Sequence, residues 1–145
     1  MTGDSTGAKA MTAKVFADTN IVLYTIGQDA HKASIARRII AAHPSVSTQV
    51  INEVTNVCLR KLGFTREQAY AFAEEVMRRA EVLPVDELVT RKSAELAIRY
   101  QLSNWDALIV AAAVLAGCET LYSEDLQHGQ VIDGITIENP FRNAA

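Results

Sequence analysis

The apolar run Val15-Phe16-Ala17 ends in Asp18; Asn20 follows, and the chain turns apolar and helix-like again through Tyr24. A short continuous apolar run of this kind suits a buried strand of a parallel sheet. In open α/β sheets ligands bind outside the carboxyl ends of the strands, and Asp18 stands at such an end. It also has an ordinary explanation, as the cap of the helix that follows.

The rest of the chain continues the alternation. Lys14 to Ala17 forms the first strand and Thr19 to Ile26 a short helix ended near Gly27. His31 to Ala42 has amphipathic helix spacing, with Ile35, Ile39 and Ile40 opposite Arg37 and Arg38. A strand from Ser45 to Thr48 ends in hydroxyls that can cap a helix from Gln49 to Leu62. Gly63 closes that helix, and Thr65 to Gln68 reads as a capping box opening the next, which runs to about Ala80.

A third strand is expected over Val82 to Val85, at an edge because of Pro84. Asp86 opens a helix to about Tyr100. Ser103 and Asn104 cap a nearly all-apolar, deeply buried helix over Trp105 to Ala116. Thr120 to Tyr122 and Ile135 to Ile137 supply the fourth and fifth strands. The pattern predicts a three-layer α/β/α sandwich around a mostly parallel five-stranded sheet, with right-handed crossovers placing the carboxyl ends along one edge.

A length of 145 residues suits one domain, with 49% hydrophobic and 21% charged residues giving an ordinary globular balance. The domain is expected over residues 13–141, between a disordered tail at 1–12 and a short tail at 142–145. The first residues lack the apolar core of a signal peptide, and Met11 is an alternative start. Cys58 and Cys118 lie in apolar settings without metal-ligand spacing, and no stretch is long enough to span a bilayer. Buried free thiols and a cytoplasmic location are therefore expected. The net charge of -3 provides no global positive field. A nucleic-acid partner then has to be met by local basic groups or a bound metal.

Four acids occupy comparable places. Asp18 follows the first strand, Glu53 lies in the second turn of the helix after the second, Asp106 is in the first turn of the apolar helix, and Asp125 lies just past the fourth strand. Taken singly, Asp18 and Asp106 suit helix starts, Glu53 a solvated position and Asp125 a turn. Jointly they point to one edge. Asp106 carries most weight, because a carboxylate among Trp105 and Ala107 to Ala113 is costly without compensation. Converging carboxylates call for a hard cation, Mg²⁺ or Mn²⁺ rather than zinc. Such a site most often serves phosphate chemistry, with Asn20 and Ser123 as polar neighbours. His31, His43 and His128 lie in polar or loop surroundings and are expected at the surface; His128, close after Asp125, is the one that could bear on the site.

Asp18-Thr19-Asn20 after a strand, Glu53, Trp105-Asp106-Ala107 opening an apolar helix, and Ser123-Glu124-Asp125 after a strand resemble the PIN-domain family, and within it the VapC-like ribonuclease toxins of type II toxin–antitoxin pairs. The resemblance runs from about Lys14 to Pro140. It implies a Mg²⁺- or Mn²⁺-dependent endoribonuclease with Asp18, Glu53, Asp106 and Asp125 as metal ligands and Asn20 and Ser123 as auxiliary catalytic residues. It further implies a homodimer, an inhibitory cognate antitoxin, and adjacent first and fourth strands. The family often continues past its last acid with another Asp and an aromatic, whereas Leu126-Gln127-His128-Gly129 stands here.

For RNA, Arg60, Lys61, Arg91 and Lys92 are the candidate basic contacts and also suit a solvated helix face. Trp105 is expected to pack in the core, with base stacking the alternative. The helices His31 to Ala42 and Thr65 to Ala80 offer amphipathic faces to a partner. Two other classes remain open: another Mg²⁺-dependent phosphate enzyme, against which Asn20 stands where a haloacid-dehalogenase-type phosphatase would place a second Asp, and a non-catalytic RNA- or protein-binding domain, against which the four intact acids stand.

Overall fold

The computed structural model describes residues 13–142, so the expected tails lie outside the described residues except for Arg142. The elements in chain order are β1 (Val15–Ala17), α1 (Thr19–Tyr24), α2 (Ala30–Ala41), β2 (Ser45–Ser47), α3 (Thr48–Arg60), α4 (Arg66–Arg79), β3 (Glu81–Leu83), α5 (Glu87–Tyr100), α6 (Asn104–Leu115), β4 (Thr120–Tyr122), β5 (Val131–Ile132) and β6 (Ile135–Glu138).

Local chemistry explains most of the boundaries. Ser47 Oγ accepts from Val50 N at the start of α3. Thr65 and Gln68 form a reciprocal capping box at α4. Asp86 and Ser103 cap α5 and α6. Gly63 has φ +72° just past α3, where a left-handed residue ends a helix without Cβ strain.

The sheet runs β3-β2-β1-β4-β6-β5. β1 pairs parallel with β2 on one side and β4 on the other, and Phe16 faces Leu121 in register. β3 occupies an edge, as Pro84 suggested, although the strand stops one residue before the proline. From β1 the chain steps outward to β2 and β3, then crosses back to place β4 beside β1. Helices α1 to α4 pack among themselves against β2 and β3, while α5 and α6 pair with each other and α6 meets β2, β4 and β6. Phe16, Val46, Leu121 and Ile137 from the sheet, with Val50, Val54 and Val110 from the helices, are fully buried. Each stabilises the fold by about 1.5–3 kcal/mol relative to exposure.

The sheet has six strands, not five. The additional strand, β5, pairs antiparallel with β6 through a two-residue turn at Asp133-Gly134, where both residues have positive φ, 51° and 87°. That is the backbone a tight hairpin turn requires, and Asp-Gly supplies it cheaply. Cys58 and Cys118 are buried free thiols. No helix among the described residues is long and apolar enough to cross a membrane.

Candidate active site

The reversal of chain direction opens a crevice between the carboxyl ends of β1 and β4, a topological switch point. Asp18 enters it directly from β1, its N–H donating to Tyr122 O at 3.0 Å. Its Oδ1 accepts from Thr19 N at 2.7 Å, so it does cap α1. Its Oδ2 accepts from Ser123 Oγ at 2.8 Å. Ser123, fully buried at the end of β4, also accepts from Asp125 N and Leu126 N, at 3.2 and 3.3 Å. One hydroxyl thus orients Asp18 and shapes the turn that carries Asp125.

Asn20 completes that side. Its Nδ2 donates to Asp125 Oδ2 at 3.0 Å, and its Oδ1 accepts from Glu124 N at 3.3 Å. On the other side Thr19 Oγ1 donates to Glu53 Oε1 at 2.5 Å. Gln49, one turn earlier on α3, donates from Nε2 to Glu53 Oε2 at 3.3 Å and to Trp105 O at 3.5 Å. The first turn of α6 is therefore tied to the same group.

Asp18 is only 8% exposed. Burial is the main cause that pushes its carboxyl up to about 6; the hydrogen bonds from Ser123 and Thr19 oppose this, and the negative charges of Glu53 and Asp125 add to it. Among the described residues none of the four acids forms a salt bridge with Lys, Arg or His. The structure thus brings Asp18, Asn20, Glu53, Ser123 and Asp125 together through shared polar bridges.

Asp106 stands apart from that network. Its backbone N–H donates to Ser103 Oγ at 3.1 Å, the ordinary place of an acid in a capped first turn, and its half-buried carboxylate makes no hydrogen bond to the other three acids among the described residues. Nor do any three acid, Cys or His side chains among those residues close on one point. The set nevertheless fits a hard cation in its chemistry: oxygen donors only, mutually repelling, one of them buried, and no protein cation to offset them.

Several expectations change. Trp105 is 63% exposed rather than packed in the core; it stands in the capped first turn of α6, ahead of buried Ala107 and Ile109 to Ala113. Arg60 lies at the opposite end of α3, about 18 Å from Thr48 at a rise of about 1.5 Å per residue, which removes it and Lys61 from the acidic edge. Lys92 is held by Glu95 and Asp133, and Arg91 by Glu87. The three histidines are exposed, as expected, and His128 Nδ1 accepts from Asn139 N.

Sequence reasoning did not assign roles to Thr19, Gln49 or the group formed by Tyr24, Lys32 and Glu124. Glu124 accepts from Tyr24 Oη and from Lys32 Nζ, the latter at 2.5 Å. A hydroxyl directly after Asp18 was the available sign for Thr19; the others depend on contacts between distant segments.

A family model described as the PIN domain matches residues 15–132. No curated protein matches the chain. Among solved structures, the toxin–antitoxin complex from Klebsiella pneumoniae is 21% identical with TM-score 0.66, covering 88% of this chain and 98% of that one. VapBC2 from Rickettsia felis, bound to a DNA fragment from its promoter, is 20% identical with TM-score 0.64, covering 86% and 96%. VapC20 from Mycobacterium tuberculosis, described as a toxin cleaving the sarcin–ricin loop, is 21% identical with TM-score 0.62, covering 77% and 90%. These structural likenesses establish a shared fold. The strand order, the acid-bearing switch point and a family match over most of the chain lead to one conclusion: this chain belongs to the PIN domain family.

Proposed function

We propose that the chain is a Mg²⁺- or Mn²⁺-dependent endoribonuclease, the toxin of a type II toxin–antitoxin pair. In this reading it works as a cytoplasmic homodimer silenced by a cognate antitoxin. The observation that carries the reading is the buried carboxylate of Asp18, without a Lys, Arg or His partner among the described residues and close to the charges of Glu53 and Asp125 at the switch point. The toxin–antitoxin complexes that share the fold support the biological role.

Asp18, Glu53, Asp106 and Asp125 would hold the cation. Bound there, a divalent ion supplies charge neutralisation at a phosphodiester and acidifies a water for attack on phosphorus. The protein's own contribution is positioning. Ser123 and Thr19 fix the two oxygens of Asp18, Asn20 holds Asp125, and Gln49 steadies Glu53. No histidine faces the cluster as a competing base.

The test is cleavage of single-stranded RNA by protein stripped with EDTA and reloaded with Mn²⁺. Activity is expected only after reloading. Asp18→Asn and Asp106→Asn are each expected to lower the rate on the order of 10³-fold, because the ion's contribution is several kcal/mol and about 1.4 kcal/mol is tenfold. Calorimetry should show Mn²⁺ binding that both substitutions weaken while the fold survives. Wild-type cleavage by Asp106→Asn would remove that residue from the site; cleavage in EDTA would end the metal-dependent reading. Growth arrest on expression without the adjacent upstream open reading frame, relieved by co-expressing it, tests the toxin role.

A further inference from the structure

Beside the acids, the segment from Thr48 to Asn56 of α3, Val85, and Trp105 and Leu108 of α6 line an open crevice of about 530 Å³. We propose that it receives one unpaired base of the RNA strand, stacked on Trp105 and read along its edge by Gln49, Asn52 and Asn56. The proposal rests on the ribonuclease reading and deepens it by assigning the group that selects where the strand is cut.

The two walls differ in chemistry. Trp105 and Leu108 present an apolar face, and Trp105 is the chain's single tryptophan, largely exposed. The α3 wall presents the carboxamides of Gln49, Asn52 and Asn56. A nucleobase has the same division, a π-face for stacking and an edge of donors and acceptors that Asn and Gln can match. An aliphatic chain would leave three amides unmatched. A phosphate would meet the Glu53 carboxylate with no Lys or Arg lining the crevice to attract it.

The state of Gln49 adds an independent observation. Its Nε2 lies near Glu53 Oε2 and Trp105 O, which fixes the orientation of the amide, while its buried Oε1 has no partner. An unmade acceptor in a buried place is costly. An exocyclic amine in the crevice satisfies it once the amide turns, exchanging its contacts with Glu53 and Trp105 for the base. On their Watson–Crick edges adenine and cytosine present such an amine beside a ring acceptor, whereas guanine's amine there adjoins a ring donor, so a preference for adenine and cytosine follows.

Glu53 joins the two parts of the surface. It lines the crevice and, through Thr19, touches the residue next to Asp18. A base seated against Trp105 therefore brings its own backbone to the acids.

The experiment uses full-length Asp18→Asn protein, so that RNA stays intact, and short single-stranded RNA oligomers. Indole fluorescence reports this one position. Oligo-A and oligo-C are expected to quench it, and the same backbone carrying abasic residues to leave it unchanged. Trp105→Ala should weaken binding by roughly 10- to 100-fold with an unaltered melting curve, and Trp105→Phe should restore most of it. Asn52→Ala with Asn56→Ala should flatten the preference among bases. Equal quenching by the abasic strand, or unchanged affinity in Trp105→Ala, overturns the proposal. So does quenching that follows protein concentration without RNA, which would mark the crevice as a contact between two copies. RNA cleavage by the wild type without quenching sinks this inference alone; quenching with no cleavage in Mn²⁺ sinks the enzymatic reading instead.

Discussion

Glu124 and Asp125 are consecutive residues in one turn, yet they sit in opposite electrostatic settings. Burial acts to raise Glu124, but Lys32 and Tyr24 outweigh it and hold the carboxyl below its ordinary value. Lys32 is itself flanked by the Tyr24 and Phe141 rings, at 4.7 and 5.4 Å from their centroids. Asp125 receives an amide from Asn20 and no cation, and it adds its charge to a cluster already burdened at Asp18. The first acid is neutralised within the chain and serves the architecture. In the proposed function, the second belongs to the set that a bound cation would neutralise. The contrast separates an acid paired within the chain from one without a Lys or Arg partner among the described residues more sharply than burial does.

The strongest way to break this comparison is to remove the uncompensated charge in metal-free protein. Asp18 has a folded-state value of about 6 against an ordinary 3.8. A raised carboxyl favours the folded state while it is protonated. In metal-free protein this group's contribution should therefore be fully present below about pH 4, and up to about 3 kcal/mol of it should be lost as the pH rises through 6, at about 1.4 kcal/mol per pKa unit. Asp18→Asn should abolish that loss and stabilise the EDTA-treated protein at pH 7, as measured by urea unfolding. A destabilised Asp18→Asn protein would mean that the hydrogen bonds from Ser123 and Thr19 outweigh the repulsion.

A smaller effect is expected on the neutralised side. Glu124→Gln should cost about 1 kcal/mol, as the loss of a half-exposed ion pair does. By loosening the turn that carries Asp125, it should lower RNA cleavage about tenfold, within the range for groups that orient metal ligands. Unlike Asp18→Asn, it should leave the pH dependence of stability between 4 and 6 in place. The smallest effect belongs to the far end of the sheet, where Lys14 holds exposed Glu81 at 3.0 Å. Glu81→Gln should shift neither the melting temperature nor cleavage measurably.

The same contrast explains what could be read from sequence. Strand-end acids and hydroxyl caps are local, so the α/β alternation, the boundaries at Ser47, Thr65 and Ser103, and the place of Asp18 were legible. The pairing of β1 with β4 came from the family resemblance and is present in the structure. The strand Val131–Ile132 was missed although Asp133-Gly134 is a strong hairpin signal, because two residues are too few to show a period. Trp105 was misplaced because the apolar pattern describes the later turns of α6, whereas Trp105 lies exposed in the first turn. Thr19 and Gln49 gained their roles only when α1, α3 and α6 met.

The bond from Ser123 to Asp18 also has a consequence in time. Its partners are 105 residues apart in the chain. At a synthesis rate of about 5–20 residues per second, Asp18 is made on the order of ten seconds before Ser123. Until β4 emerges and docks beside β1, the acids from the two strand ends cannot face one another, and a nascent or truncated chain lacks the assembled cluster. The fold withholds this cluster until β4 and the turn carrying Asp125 have been made and docked.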